Sequence, residues 1–183
     1  GGADGASSRG EITIAPAVSV ADSGRSISAR TAARKGCAPY MKSVLKKVRL
    51  GTTEPIQVMD ITTQVKQLLA DSGVSNGQLT LISSHTTAFV SLNEFEPGLQ
   101  QDMVEFLDRV APPGAGYRHD VNPVDGRLNA HAHLAGLFMN PTLRIPIVKG
   151  KLLLGDWQSI LFVELDGPRE NRSLHLQFLG IKG

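Results

Sequence analysis

Between residues 143 and 179 the chain carries four short apolar runs, at 143–148, 152–154, 160–165 and 174–179, with no helical stripe among them. Runs this short, separated by turn residues, bury their side chains as strands of sheet. Upstream the periods alternate. Val44, Val48 and Leu50 indicate a first strand and residues 56–61 a second. Ile61, Val65, Leu68 and Leu69 then fall at i, i+4, i+7 and i+8, one stripe of a helix that Ser72-Gly73 ends. Residues 79–82 read as a buried strand and 86–92 as its alternating neighbour. Leu99, Met103, Phe106, Leu107 and Val110 mark a second amphipathic helix, entered after Glu96-Pro97. Prolines and glycines punctuate residues 111–126 as a long loop, and a short helical piece follows, ending near Asn140. Paired strands with two main helices inserted, closing on a run of strands alone, predict an α+β fold rather than a doubly wound parallel sheet.

Residues 1–40 do not take part in this pattern. They are rich in Gly, Ala, Ser and Arg, have no sustained period, and cannot bury enough apolar surface to offset their ordering entropy. They read as an extension outside the fold, either transit-peptide-like or the end of a fragment, and residues 41–183 as one domain. The expected location is therefore cytoplasmic, or organellar if the extension is a transit peptide. A formal charge of +2 and few aromatics give no argument for a nucleic-acid groove. No apolar run approaches the roughly 20 residues that span a bilayer. The expected partner is thus a small molecule, with neither nucleic acid nor membrane. Cys37 is the only cysteine, which excludes an internal disulfide and a cysteine-based zinc knuckle.

The chemistry-bearing residues are concentrated. Four of the five histidines fall in one stretch, in His85-Thr86-Thr87-Ala88 with Asn93-Glu94, in Arg118-His119-Asp120, and in Asn129-Ala130-His131-Ala132-His133. Imidazoles and carboxylates flanking a Pro/Gly-rich loop point to a metal site or an acid/base site. His131 and His133 are two apart, so on a helix they diverge and only an irregular segment would let both hold one ion. Strand parity separates His85 from Glu94 unless the chain turns after Leu92. Gly73-Val74-Ser75-Asn76-Gly77 matches a hydrolase nucleophile pattern but leaves a helix for a strand, the reverse of a nucleophile elbow, and reads as a turn. Gly114-Ala115-Gly116 is too short for a phosphate cradle. Asn171-Arg172-Ser173 reads as a chance glycosylation match, His175 as a structural residue in an apolar strand, and Trp157 as a packing anchor.

These motifs carry a resemblance. The histidine block, the 111–120 segment, Gly155-Asp156-Trp157-Gln158 and Asp166-Gly167-Pro168-Arg169 resemble the YjbQ family in order and spacing, over about residues 42–180. The resemblance implies a compact sandwich of mixed or antiparallel sheets that assembles as a homotrimer. It also implies a divalent metal, with zinc the expected ion, held by His85, His119 and His133; His131 departs from many relatives and its part is left open. The implied activity is that of a secondary thiamine-phosphate synthase, joining an aminopyrimidine diphosphate to a thiazole phosphate. In that reading His85 assists as a catalytic ligand, Asp120 or Glu94 accepts a proton, and Arg118 and Arg169 face the phosphates. A metal-dependent hydrolase of a small phosphorylated substrate, or a non-catalytic metal- or ligand-binding trimer, fits the same residues.

Overall fold

A computed structural model of the chain describes residues 41–182. The extension expected over residues 1–40, with its transit-peptide reading, lies outside the described residues. Strand β1 (Met41–Thr52) begins the domain, and its neighbour is the last strand, β8 (Arg169–Lys182), paired antiparallel from Met41↔Ile181 to Thr52↔Arg169. On the other side of β8 lie β3 (Val74–Ser83), β5 (Thr142–Val148) and the short β6 (Lys151–Leu152), completing a five-stranded sheet ordered β1-β8-β3-β5-β6. A second sheet of three strands places β7 (Ser159–Glu164) between β2 (Gln57–Asp60) and β4 (Ala88–Asn93). All pairings are antiparallel. The α+β class and its two main helices stand as expected.

Alternation explains the first sheet. Arg172, Leu174, Leu176, Phe178 and Gly180 of β8 are buried while the residues between them are not, so one face of the strand turns inward. Leu174, Leu176 and Phe178 meet Leu79 and Leu81 of β3, Ala88 and Val90 of β4, and Ile160 and Phe162 of β7 in one core between the sheets. Each fully buried Leu, Ile or Phe there contributes about 1.5–3 kcal/mol by leaving water. Helix α1 (Thr62–Ser72) adds Val65 and Leu69 to this core. Its first turn is held by the Asp60 carboxylate, which accepts the Thr62 N–H at 2.7 Å, and it ends on Gly73 at φ 69°, a left-handed position that glycine adopts without a Cβ clash. The far face of the small sheet is covered by α2 (Pro97–Val110) and α3 (Ala130–Ala135), through Phe89, Leu107, Ala132 and Val163. Glu96 caps α2, its carboxylate accepting the N–H groups of Gly98 and Leu99 at 2.9 and 2.7 Å, with Pro97 at the first helical position. No described helix is long and apolar enough to cross a membrane.

Three local expectations are corrected. Residues 79–82 and 86–92 are not paired neighbours: β3 and β4 enter different sheets, and the chain crosses between them at residues 84–87. The buried triplet Ala88, Phe89, Val90 shows why, since β4 is packed on both faces and has no solvent side. In the segment read as a turn, only Gly73 turns; Val74 already belongs to β3. Gly77 there lies so close to β8 that a Cβ would stand 2.1 Å from the Leu179 carbonyl oxygen. Trp157 is no packing anchor, being 76% exposed beyond β6.

Candidate functional site

At one end of the sandwich, three crossings of the chain meet: the link from β3 to β4, the link from β7 to β8, and the loop that leads into α3. The middle link is built on two acids. Glu164 closes β7 and is fully buried. Its Oε1 accepts the N–H groups of Leu165 and Asp166 at 3.1 and 2.9 Å together with Arg172 Nη2, and its Oε2 accepts Arg172 Nε at 2.6 Å. Arg172 Nη2 also donates to Thr87 Oγ1 at 2.9 Å, so β8 is tied to the β3–β4 link. A buried carboxylate and guanidinium matched edge to edge in this way hold each other in one geometry. Nη1 takes no part in these bonds.

Asp166 is the second acid. Its Oδ2 accepts from Arg169 Nη2 and from Asn129 Nδ2, the latter at 2.9 Å, and Arg127 Nη1 lies 3.8 Å from its Oδ1. Burial opposes ionisation, but the hydrogen bonds from Asn129 and Arg169 and the charges of Arg169 and Arg127 outweigh it and hold the carboxyl below the usual carboxylate range. The following Gly167 sits where a Cβ would be 1.9 Å from the Glu54 carbonyl oxygen, and the Gly167–Pro168 peptide is cis.

Three histidines converge on this end. A depression of about 490 Å³ is lined by His85, His119 and His133 with Asp166, Arg169 and Arg172. His85, on the β3–β4 link, accepts the Ser173 N–H on Nε2 at 3.0 Å. Burial, with the Arg172 guanidinium beside it, holds this ring below the usual imidazole range. His119 sits on a 3-10 turn (Arg118–Asp120), with Nε2 3.2 Å from Asn129 Oδ1. His133, from α3, meets the His119 ring edge-on with centroids 5.1 Å apart.

The remaining expected site residues stand apart. Arg118 borders a neighbouring hollow, walled by Tyr117, Leu134, His119 and His133, and does not line the depression with Arg169. Asp120 supports rather than faces it: Oδ1 accepts the Ala130 N–H at 2.9 Å and so holds the start of α3, while Oδ2 is buried and has no partner among the described residues. Glu94 follows β4 at the end opposite His85, and with strands rising about 3.3 Å per residue the two cannot serve one centre. His131 is turned inward with Nδ1 unpartnered.

The metal expectation meets a misfit of donors. Zinc–imidazole bonds of about 2.0–2.1 Å need three nitrogens aimed at one point. Here Nε2 of His85 is taken by a backbone N–H and Nε2 of His119 by a side-chain amide. Among the described residues, no group of three or more His, Cys, Asp or Glu side chains is disposed to hold an ion. The histidines border one depression, with the Nε2 atoms of His85 and His119 engaged by protein partners.

The central Glu164–Arg172 pair went unread in the sequence, although a signal was there. Glu164 is a lone acid in the apolar run 160–165, and Arg172 shares the parity of Leu174, Leu176 and Phe178. One buried charge in each of two strands calls for a mate.

Comparison with known proteins adds the relationship. The family profile described as UPF0047 protein YjbQ-like matches residues 46–181. A UPF0047 protein of Methanothermobacter thermautotrophicus is 36% identical over 136 residues, covering 74% of this chain and 92% of that one. A solved structure described as a YbjQ-like protein of unknown function from Sulfolobus solfataricus is similar at TM-score 0.73 and 35% identity, over 77% of this chain and 99% of that one. A hypothetical protein from Aeropyrum pernix K1 gives 0.70 and 41%, over 75% and 98%. The thiamine-phosphate synthase activity expected from the resemblance is corrected by these findings, since the relatives carry only the UPF0047 description and the Sulfolobus structure is described as of unknown function. What the comparisons establish is kinship: this chain belongs to the YjbQ-like UPF0047 family.

Proposed function

We propose that the chain binds a small oxyanion, a phosphate or carboxylate group, in the depression between His85, Arg169 and Arg172. The observation that carries this reading is the placement of Arg172. Its Nε and Nη2 are clamped by the buried Glu164 and by Thr87, which leaves the Nη1 edge of a lining residue as a fixed donor. Arg169 repeats the arrangement, with Nε on the Asp166 carbonyl at 2.8 Å and Nη2 on its carboxylate. The matching carboxylates of Glu164 and Asp166 are 0% and 9% exposed, and both oxygens of Glu164 and Oδ2 of Asp166 accept hydrogen bonds. A ligand in the depression therefore meets the guanidinium N–H donors of Arg169 and Arg172 along its wall. Two or three charge-assisted hydrogen bonds of about 1.5–3 kcal/mol each support a dissociation constant of millimolar to micromolar order.

Calorimetric titration with inorganic phosphate tests this. Binding is expected in the millimolar range or tighter and is weakened by Arg169→Gln, but not by Arg144→Gln on β5, which does not border the depression. No heat of binding, or equal affinity in Arg169→Gln, would overturn the reading. Self-association, with the trimer implied by the resemblance as the expected state, is a separate proposal. It is supported by Leu137 and Phe138, adjacent and 78% and 74% exposed, and sedimentation tests it.

A further inference from the structure

Two of the imidazoles that border the depression are held in opposite states by their protein partners. Asp166 accepts a hydrogen bond from Asn129 Nδ2, which fixes the orientation of that amide. The Asn129 atom facing His119 is then Oδ1, an acceptor, so the hydrogen in the 3.2 Å contact belongs to His119 Nε2. In the neutral ring Nδ1 is left with its lone pair. His85 is the reverse case. The Ser173 backbone N–H points at its Nε2, which must therefore be unprotonated, and the ring hydrogen sits on Nδ1. Both rings line the depression, and their Nδ1 atoms differ in kind, an acceptor on His119 and a donor on His85. Around them Arg169 and Arg172 are donors only, and the hydroxyl of Thr87, which accepts from Arg172, has its own hydrogen to give. Among the described residues none hydrogen-bonds to His133 to fix its tautomer. Carboxylate acceptors also border it: Asp125, with Oδ1 taking the Arg127 N–H at 3.2 Å, and Asp166, whose Oδ1 lies 3.8 Å from Arg127 Nη1.

We infer that His119 determines the specificity of this site, its Nδ1 lone pair selecting an oxyanion that keeps an O–H of its own over one that is fully deprotonated. This rests on the oxyanion reading above. A lone pair set against an anion oxygen gains no hydrogen bond and is repelled, whereas an O–H turned to it converts the same contact into a bond. The ligand class is therefore hydrogen phosphate, or a phosphate or carboxylate with a hydroxyl on the side facing His119. Asn129 and Asp166 act through His119 as positioning residues, because together they set which nitrogen carries the hydrogen.

Phosphate and sulfate separate the possibilities. In mildly alkaline buffer both are tetrahedral dianions of similar size, and they differ by one O–H. The protein is expected to bind phosphate at least about tenfold more tightly than sulfate, the factor that one unmatched acceptor of ~1.4 kcal/mol produces. In His119→Gln, whose amide can turn an N–H toward the anion, the ratio is expected to fall to within about threefold, with circular dichroism confirming the fold. Equal affinities in the unaltered protein overturn the inference and leave the oxyanion reading intact. Discrimination that survives His119→Gln but is lost in Asp125→Asn overturns it in favour of the rim carboxylate. Binding of neither anion defeats the oxyanion reading itself. A ligand-free measurement stands beside these: nitrogen-15 spectra of the histidine rings should show His119 with a hydrogen on Nε2 and a bare Nδ1, and the opposite tautomer overturns the inference whatever binds.

Discussion

Replacing Arg172 by methionine keeps nearly the same length and apolar stem but removes the charge that faces Glu164. The side chains are 9% and 0% exposed, so the carboxylate left behind has no water to turn to. Breaking a buried pair from one side costs about 3–5 kcal/mol, most of it the penalty of the uncompensated charge. Against a total stability of roughly 5–15 kcal/mol this is a large fraction. At about 2–4 °C per kcal/mol for a domain of this size, the melting temperature should fall by roughly 6–20 °C. The double variant Glu164→Gln/Arg172→Met isolates the cause. Glutamine keeps an oxygen for the N–H groups of Leu165 and Asp166 but carries no charge, so the double variant should recover at least about half of the loss. Urea unfolding followed by far-ultraviolet circular dichroism is the suitable assay, because Trp157 is too exposed to report on the core. A loss below about 1 kcal/mol in Arg172→Met, or a double variant no more stable than the single, would refute the reasoning.

Other consequences follow from the same site. The ring of His85 is held below its unfolded value, so its contribution to stability is complete above about pH 6.5 and is lost as pH falls toward the depressed folded value; the stability of His85→Gln should lack that decline between the two. The depressed carboxyl of Asp166 contributes stability above its unfolded value near pH 3.9 and loses it as pH falls through the lower folded value, so the melting temperatures of the protein and of Asp166→Asn should draw together in strong acid. Treatment with a chelator should leave phosphate affinity unchanged, since the Nε2 atoms of His85 and His119 are taken by Ser173 and Asn129; a loss restored by zinc would reverse that conclusion. Gly73→Ala, where the new methyl meets only the Lys42 ammonium at an ordinary 4.0 Å but φ is 69°, should cost about 1–2 kcal/mol in urea unfolding through backbone strain.

The histidine block was conspicuous in the sequence because its members are unusual residue types at short spacing, and three of them do border one depression. What they face is another matter. His85 and His119 look alike as letters, yet a backbone N–H on β8 and an amide on the approach to α3 give them opposite tautomers. Those partners lie 88 and 10 residues away, and nothing in the local pattern names them.

Local periodicity alone determined the helices and nearly all the strands, because the 3.6- and 2-residue repeats express which side of an element meets the core, and that side is written into successive residues. Glu96-Pro97 and Gly73 likewise marked helix ends by their own conformational preferences. The division of the strands into two sheets was decided only by the tertiary structure. Residues 79–82 and 86–92 adjoin in sequence, yet β3 pairs with β8 and β5 while β4 pairs with β7, because a strand chooses its neighbour by the fit of whole faces across the core. The union of Glu164 with Arg172 belongs to the same order of fact. Each was legible as a buried charge in an apolar strand, but only the folding of β7 and β8 past the β3–β4 link brings the charges together at the wall of the depression.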